Sequence, residues 1–243
     1  MPITVIVALL IALASTLYAM AGQAGGTAFL AVMAFTSFPP DQMRPTSLAL
    51  NVTAAGYATW RLHRERAIDW PLLQGLALPA LPAALAGGFV VLPGRAYLVL
   101  TGVLLLLAAG LMLVRSGADE AANKPVPRGP MMLAGAGTGF VSGLTGVGGG
   151  VFLAPLLIFT GWASPKRAAG LSAPFILANS AVALLAVLTT GQSVAPGFLA
   201  YAAAALLGAM VGTAIGLRWL SQVATRHALA LVLLVAGGRL LLT

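Results

Sequence analysis

The hydrophobic pattern divides the chain into ten apolar segments separated by short polar connections. The segments cover residues 3–20, 27–38, 46–62, 70–92, 96–115, 131–145, 150–161, 168–190, 196–217 and 226–242. Long runs such as Ala96–Val114 and Tyr201–Leu217 have the length of a helix that crosses a hydrocarbon core of about 30 Å. The pattern predicts an all-helical polytopic membrane protein, because a membrane β-barrel shows short alternating segments instead.

Clustered glycines interrupt the apolar sequence at two places. The first break comprises Gly22, Gln23, Ala24, Gly25 and Gly26, and the second comprises Gly146, Val147, Gly148, Gly149 and Gly150. Glycine costs about 1 kcal/mol in a helix relative to alanine, and a freed backbone group costs more where no water reaches it. Two such clusters at matching positions indicate that the exposed backbone is used, which favours a transporter site.

The two breaks belong to an internal duplication. A shift of 124 residues superposes Gly22 on Gly146, and the match continues with Phe35, Thr36 and Gly88 on Phe159, Thr160 and Gly212. The longest polar stretch lies between the two copies and has the composition of a linker. We therefore predict a first membrane repeat over residues 1–115, an inter-repeat linker over residues 116–129 and a second membrane repeat over residues 130–243.

Loop charges favour one of two topologies. If every long segment crosses the membrane once, the basic residues divide 7 to 6 between the two sides. If each glycine-broken segment is a hairpin that returns to its own side, each half has three further crossings, and the division becomes 10 to 3. Because cytoplasmic loops are rich in Lys and Arg, the hairpin model is favoured, with an inverted second repeat and both termini outside the cytoplasm. Secondary transporters often have inverted repeats with broken helices.

Composition excludes several classes of protein. The chain is 60% hydrophobic and only 7% charged, which excludes a soluble globular domain. The net charge of +8 comes from 13 basic residues scattered over the loops, so we interpret it as topology-setting charge and expect no nucleic-acid partner. The absence of cysteine excludes disulfides and thiolate metal sites.

Residues for catalysis are lacking, so we expect no enzyme, no cofactor and no metal site. The segment Phe140–Gly143, which contains Ser142, is similar to the nucleophile motif of an intramembrane serine protease. It lacks the preceding glycine, however, and His227 is the one base predicted on a helix. No phosphate-loop pattern supports an ATP-driven role either.

The breaks predict a site for an anion. Half-helices that begin near Gly26 and Gly150 would present free backbone N–H groups and the positive end of a helix dipole, worth roughly half a charge. Such termini bind anions without a cationic side chain. If the two hairpins meet at the middle of the membrane, both termini could point at one ligand. The alternative is that the glycines only permit close helix packing.

Polar side chains follow each break within apolar segments. Ser47 and Asn51 are spaced i, i+4, and Ser172 and Asn179 stand one heptad apart. An intramembrane Asn is expensive unless it has a partner, so we expect these side chains to face the interior, where they hydrogen-bond other helices or contact a ligand. Gln23 has the same two alternatives. The candidate substrate-binding residues are Gly22, Gln23, Gly25, Gly26, Ser47, Asn51, Gly146, Gly148, Gly149, Gly150, Ser172 and Asn179.

The remaining charged and small residues have structural interpretations. Glu65 and Asp69 are expected to be solvated partners of Arg64 and Arg66. The pairs at the hairpin mouths are expected to anchor helix ends at the interface rather than to attract an anion; they are Asp41 with Arg44, and Lys166 with Arg167. Gly208, Gly212 and Gly216, with Ala84 and Gly88 as weaker equivalents, predict helix packing within the bundle or between protomers, which leaves a homodimer open.

The duplicated pattern resembles the TauE/SafE sulfite exporter family, also called the 4-toluene sulfonate uptake permease family. The resemblance rests on the repeated Gly-x-x-Gly-Gly followed by a half-helix, on Pro155 in the second copy, on Thr46-Ser47-Leu48, and on a basic loop that ends Ile68-Asp69-Trp70. It covers both halves of the chain. The first copy departs from the second, since Gln23-Ala24 stands where the second has Val147-Gly148, and Ala31 stands in place of Pro155.

The resemblance implies a multi-pass secondary transporter in the bacterial inner membrane. Its substrates would be small sulfur-containing oxyanions such as sulfite, sulfoacetate or other organosulfonates, and the lipid bilayer would surround it. The departures in the first copy imply that the two hairpins do not contact the substrate equivalently. The coupling ion stays open between proton and sodium. The alternatives are a transporter of a different small anion and a non-transporting subunit whose glycines serve only assembly.

Overall fold

The computed structural model describes residues 3–114, 126–216 and 222–242, and these residues form ten helices and no strands. Each predicted apolar segment corresponds to one helix, so the all-helical prediction is confirmed. Most of the predicted linker lies outside the described residues, and α6 already begins at Arg128. The helices are α1 (Ile3–Met20), α2 (Gly26–Phe35), α3 (Pro40–Arg64), α4 (Trp70–Phe89), α5 (Gly94–Val114), α6 (Arg128–Thr145), α7 (Gly150–Phe159), α8 (Pro165–Thr189), α9 (Phe198–Gly216) and α10 (Gln222–Leu242).

The outer surface of the bundle is apolar, as a lipid environment requires. Within the described ranges, five helices are long and apolar enough to cross a membrane, namely α1, α4, α5, α8 and α9. Leucines stand on their outward faces, and Leu199 is 82% exposed. By contrast, α3 contains Arg44, Ser47 and Asn51, and these polar side chains are all buried. The chain is therefore a multi-pass membrane protein with its polar residues inside.

Glycine and proline explain why α2 and α7 are short. Gly25 and Gly149, the residues before the two helices, have φ angles of +111° and +75°, which a residue with a side chain rarely adopts. At the other end, α2 stops at Phe35 just before Pro39 and Pro40, and Pro40 starts α3. Each short helix has 10 residues and is about 15 Å long, half of a hydrocarbon core.

The helix boundaries refine the predicted duplication. The shift of 124 residues places α2 on α7. The connection after α7 is one residue longer, so α3 corresponds to α8 at a shift of 125, with Pro40 on Pro165 and Ser47 on Ser172. At this shift, Asn51 corresponds to Ile176 rather than to a polar residue. The two halves are thus alike in helix order but unlike in polarity beside the breaks.

Corresponding helices from the two halves pack against each other in opposite directions. Leu48 near the start of α3 clusters with Val187 near the end of α8, whereas Gly56 further along α3 faces Leu177. In the same way, Gly102 of α5 lies against Gly237 near the end of α10. Both α3 with α8 and α5 with α10 are therefore antiparallel pairs.

The other closely packed pairs combine helices that do not correspond to each other in the two repeats. Gly208 and Gly212 of α9 pack directly on the backbone of α1, beside Ala12 and Thr16, so these two helices run parallel. The equivalent pair is α4 with α6, where Gly143 of α6 lies against the backbone of α4 at Ala84. Gly88 of α4 packs on Ala186 of α8. The predicted role of the small-residue rows in helix packing is confirmed for Gly208 and Gly212 of α9, which pack against another helix of the same chain.

The helix ends define two opposite faces of the bundle. On the first face, the segment before α9 touches the starts of both α1 and α3: Gly197 lies beside Thr4, and Ala195 donates its N–H to Thr46 Oγ1 at 2.8 Å. On the second face, α6 starts beside α4, and Arg167 at the start of α8 pairs with Asp69. The pair α1–α2 thus begins and ends at the first face, and α6–α7 begins and ends at the second.

The acidic residues of the second face have partners other than those expected. Glu65 pairs with Arg61 at 3.0 Å, one helical turn away. Asp69 caps α4 by accepting the N–H of Leu72 at 3.1 Å and also pairs with Arg167. The prediction that these acids partner Arg64 and Arg66 is wrong. Glu65 pairs with the arginine one turn earlier on α3, and for Asp69 only the folded chain brings the start of α8 to the loop before α4.

Candidate functional site

The two glycine breaks meet in the interior of the bundle. A Cβ atom added to Gly26 would overlap the carbonyl oxygen of Val147 and lie 2.5 Å from Nδ2 of Asn51. A Cβ atom added to Gly148 would lie 2.8 Å from the same nitrogen. Glycine is therefore needed at both positions for the two breaks and α3 to approach each other this closely.

Two side chains of α3 tie the breaks together. Ser47 Oγ donates to the carbonyl oxygen of Gly146 at 2.8 Å and lies 3.3 Å from that of Gly26. Asn51 Nδ2 donates to Gly146 at 3.3 Å. Both side chains are fully buried, as their sequence pattern predicted. Asn51 Oδ1 has no hydrogen-bond partner among the described residues.

Each break exposes the first N–H groups of a half-helix. The first hydrogen bond into α2 runs from Phe29 N–H to the Gly25 carbonyl at 2.8 Å, and those into α7 run from Phe152 and Leu153 to Gly149 at 3.2 and 3.1 Å. The N–H groups ahead of these residues lie outside the helical ladders. Both N-termini carry the positive ends of their helix dipoles toward the region where the breaks meet.

The second repeat supplies fewer polar side chains to this region. Ser172 Oγ donates to Ala168 within its own helix at 2.9 Å. Ile176 occupies the place that corresponds to Asn51 and packs on Gly150. Asn179 is fully buried about 4.5 Å further along the helix axis, and neither of its amide atoms has a partner among the described residues. The structure therefore brings Ser47 and Asn51 to the breaks and places Asn179 beyond them.

The start of the first break is also buried. Gln23 is 7% exposed, and its N–H donates to the Tyr18 carbonyl at 2.9 Å. Gly22 packs on Ala169 near the start of α8, and Gly146 packs in the same way on Arg44 near the start of α3. The outer end of each break is thus held by the helix of the other repeat.

Arg44 is buried rather than interfacial, so the expectation for this residue is wrong. It is 1% exposed, although it lies only four residues into α3. Its guanidinium donates to Gly143 at 3.0 Å, Val90 at 2.7 Å, Gly87 at 2.9 Å and Gly88 at 2.5 Å, all backbone carbonyls. Three of these acceptors belong to the C-terminal end of α4, where carbonyls lack helical partners and the dipole is negative.

The positive charge of Arg44 has no carboxylate partner among the described residues. Within the same residues, Arg44 is the one fully buried charged side chain. Carbonyl oxygens satisfy its N–H groups, but they leave the unit charge in place. Gly146 packs on the backbone and Cγ of Arg44, so this charged residue lies beside the second break while its guanidinium points to Gly143 and the end of α4.

Sequence reasoning missed one hydrogen bond and one hydroxyl beside the breaks. Tyr18 Oη and Thr27 Oγ1 are 2.5 Å apart and join the end of α1 to the start of α2. Ser142, which the sequence offered only as a protease-like motif, lies against Gly149 at the start of α7. The 124-residue shift could have revealed both, because it places Ser142 opposite Tyr18 and Val151 opposite Thr27.

Two other features do not contribute to this site. An open groove on α5 is lined by apolar residues such as Val103, Leu107 and Leu111, and it faces outward. Among the described residues, no three His, Asp or Glu side chains are grouped so that they could hold a metal ion.

Comparison with known proteins places this arrangement among membrane transporters. The model of the family described as sulfite exporter TauE/SafE matches residues 7–240. The probable membrane transporter protein y4hK of Sinorhizobium fredii (strain NBRC 101917 / NGR234) is 36% identical to the chain over 230 residues, which cover 92% of each protein. No solved structure matches the chain.

Proposed function

This chain belongs to the sulfite exporter TauE/SafE family, and on that premise we propose that it carries small sulfur oxyanions through a site where its two glycine breaks meet. As a member of this family it is a membrane transporter rather than an enzyme. The proposed substrates are sulfite, sulfoacetate and other organosulfonates. The proposed site lies near the middle of the membrane, between α2 and α7.

The observation that carries the proposal is the meeting of two half-helix N-termini at one buried point. An anion inside a membrane needs hydrogen-bond donors that replace its water, and free backbone N–H groups at two helix N-termini supply them. Discontinuous helices bind anionic substrate groups in this way in other transporter folds. The glycines proposed to line the site are Gly22, Gly25, Gly26, Gly146, Gly148, Gly149 and Gly150.

Neutral side chains would complete the binding site. Ser47 and Asn51 already lie at the meeting point, and two of their contacts with backbone carbonyls are long, at 3.3 Å. An oxyanion would be a stronger acceptor than those carbonyls, so both side chains would turn to it. Gln23, Ser172 and Asn179 are further proposed donors; Asn179 has no partner among the described residues.

The charges near the site suit an anion that must also be released. Arg44 and the two helix N-termini make the interior positive, and among the described residues no carboxylate is fully buried. The Arg44 guanidinium is occupied by four carbonyl oxygens, so it would attract the anion through space without forming a direct ion pair. A direct pair would hold the substrate too tightly for rapid release.

We propose that the two repeats are inverted and rock against each other to give alternating access. The antiparallel pairs α3–α8 and α5–α10 support a pseudo-two-fold axis in the membrane plane, since an axis along the membrane normal would make corresponding helices parallel. The two hairpins begin at opposite faces, which also supports inversion. Among the described residues, the second face carries Arg61, Arg64, Arg66, Arg128, Lys166 and Arg167 and is proposed to be cytoplasmic. The first face carries Arg95 and Arg239, and Arg44 lies near it but is buried.

The test uses the wild-type protein. Thermal unfolding in detergent is measured with sulfite, sulfoacetate, other sulfonates, sulfate and chloride at constant ionic strength. Selective stabilisation by sulfite or a sulfonate is expected, because a ligand that binds only the folded state stabilises it. Counterflow of labelled sulfite and sulfoacetate in proteoliposomes, with imposed proton or sodium gradients, then measures transport and identifies the coupling ion.

A flat thermal response together with absent counterflow would contradict the proposal. That result would favour the non-transporting subunit, whose glycines only serve packing. Selective stabilisation by an anion without sulfur would retain the transporter and change its substrate.

A further inference from the structure

The two half-helix N-termini differ in one pair of corresponding positions. In the first repeat, Tyr18 and Thr27 bond to each other at 2.5 Å beside the start of α2, and Tyr18 is fully buried. In the second repeat, Ser142 and Val151 occupy the corresponding positions beside the start of α7. The first repeat therefore fills this place with a phenol ring and satisfies both hydroxyls, whereas the second has one small hydroxyl and no partner for it.

Ser142 is a buried hydroxyl in direct contact with the start of α7. Its exposed fraction is 0%, and its Cβ atom lies 3.4 Å from the position that a Cβ atom on Gly149 would take. Gly149 is the residue from which α7 begins, in the left-handed conformation. The Ser142 Oγ atom has no hydrogen-bond partner among the described residues.

The hydroxyls of Thr59, Thr101 and Ser180 also lack a partner among the described residues, and what distinguishes Ser142 is its contact with Gly149 at the start of α7. Thr138 and Thr145, on the same helix, donate to the carbonyls four residues earlier at 2.6 and 2.7 Å. Ser172 does the same in α8 at 2.9 Å. A buried hydroxyl that makes no hydrogen bond destabilises the fold. A ligand that is present only during the working cycle would give Ser142 the missing partner.

We propose that Ser142 is a substrate-binding residue that donates a hydrogen bond to the anion at the N-terminus of α7. This inference rests on the proposed function and deepens it. One oxygen of the sulfur oxyanion accepts from the N–H groups at Gly150 and Val151, and another accepts from Ser142 Oγ. Asn51 Nδ2, which lies beside Gly148, approaches the same anion from α3.

The proposal makes the two N-termini unequal. At α2 the Tyr18 and Thr27 hydroxyls bond to each other, so α2 offers the anion its backbone N–H groups but no free hydroxyl. At α7 the hydroxyl of Ser142 is available, so α7 makes one more hydrogen bond to the anion. The sequence difference between the breaks, with Val147-Gly148 in place of Gln23-Ala24, agrees with the larger role of α7, because the extra glycine has no side chain to cover the backbone there.

The test compares Ser142→Ala with Ser15→Ala in the full chain. Ser15 is equally buried but donates to the Ala205 carbonyl of α9 at 2.7 Å, and it lies about one helical turn before Tyr18 on α1. For Ser142→Ala, sulfite or sulfonate affinity is expected to fall at least tenfold, because a hydrogen bond to a charged ligand is lost. Its melting temperature without ligand is expected to stay unchanged or rise. Ser15→Ala is expected to show the opposite, with a lower melting temperature and unchanged affinity.

A second variant transfers the pattern of the first repeat to the second. Ser142→Tyr combined with Val151→Thr should keep the fold, since the two hydroxyls can pair as Tyr18 and Thr27 do, and should abolish anion binding and counterflow. Binding by this double variant at wild-type affinity would overturn the inference. A double variant that fails to fold leaves the decision to Ser142→Ala.

The outcomes separate the two proposals. If the wild-type protein binds no sulfur oxyanion, the proposed function fails and the role of Ser142 fails with it. If the wild-type protein binds the anion and Ser142→Ala binds it equally well, only the role of Ser142 fails. A lower melting temperature for Ser142→Ala with unchanged affinity would also overturn it, since that result identifies a structural hydroxyl.

Discussion

Arg44 gives the sharpest stability prediction, because one side chain joins three helices inside the bundle. It extends from α3 and donates to the end of α4 and to Gly143 of α6. Arg44→Met has similar length and apolar character but no donors. In that variant the carbonyl oxygens of Gly88 and Gly143 lose the donor that Arg44 supplies, whereas that of Gly87 keeps the Val90 N–H at 3.3 Å.

The magnitude follows from the two carbonyls that lose their donor, those of Gly88 and Gly143. An unsatisfied buried acceptor costs about 1–3 kcal/mol. Removing the guanidinium also relieves its own desolvation, which offsets part of the loss. We therefore take the lower end for each carbonyl and expect Arg44→Met to destabilise the protein by about 2 kcal/mol. For a chain of this size that corresponds to a fall in melting temperature of roughly 6 °C. Arg44→Lys should fall about half as far, because its ammonium keeps the charge and reaches fewer of the carbonyls.

Thermal unfolding of the purified protein in detergent measures this effect. The matched control is Arg95→Met, since Arg95 is exposed at the start of α5 and its replacement should change stability by less than about 0.5 kcal/mol. If Arg44→Met melts within about 2 °C of wild type, or if Arg95→Met falls as far as it does, the carbonyl-cap reasoning is refuted.

Three further predictions concern the breaks, the topology and the second face. Gly26→Ala should greatly reduce counterflow and lower stability, because its Cβ overlaps a carbonyl of the second break. The control Gly137→Ala, in open space on α6, should be neutral or slightly stabilising. Equal activity of both variants would contradict this. Since the chain has no cysteine, single cysteines at Lys166 and Ser37 allow labelling without background. An impermeant reagent added outside should label only Ser37→Cys. External labelling of Lys166→Cys would refute the hairpin topology. Asp69→Ala should lower stability by about 1–2 kcal/mol, because it loses both the α4 cap and a partly exposed ion pair. Asp69→Asn keeps the cap and should lower stability by less. Thermal unfolding measures both variants, and the reverse order would show that the cap contributes little.

The helices and their order could be predicted from the sequence because they depend on local properties. Apolar length, glycine clusters and prolines at helix starts act within a few residues, so the ten segments and the two short helices follow from them directly. The duplication was visible for the same reason, since equal local constraints recur at a shift of 124 residues. The burial of Ser47, Asn51, Ser172 and Asn179 also followed, because a polar side chain in a lipid-exposed position is too costly.

The residues around the site could be predicted only in part. The sequence identified Ser47 and Asn51, but it treated Asn179 as their equal, although the extra residue before α8 puts Ile176 in the corresponding place. It placed Arg44 at the interface because this residue lies at the mouth of the first hairpin. Nothing local shows that Gly87 and Gly88, more than forty residues away, present carbonyls to that guanidinium.

The sequence by itself determined a duplicated, ten-helix membrane protein with two helix N-termini suited to an anion. Tertiary structure alone decided that the two breaks touch, that Arg44 is a buried cation, and that Ser142 has no partner among the described residues where Tyr18 has one. The physical reason is the sequence separation over which each interaction acts. Propensity, capping and hydropathy act along the chain, whereas hydrogen-bond satisfaction and close glycine packing depend on groups that only folding brings together.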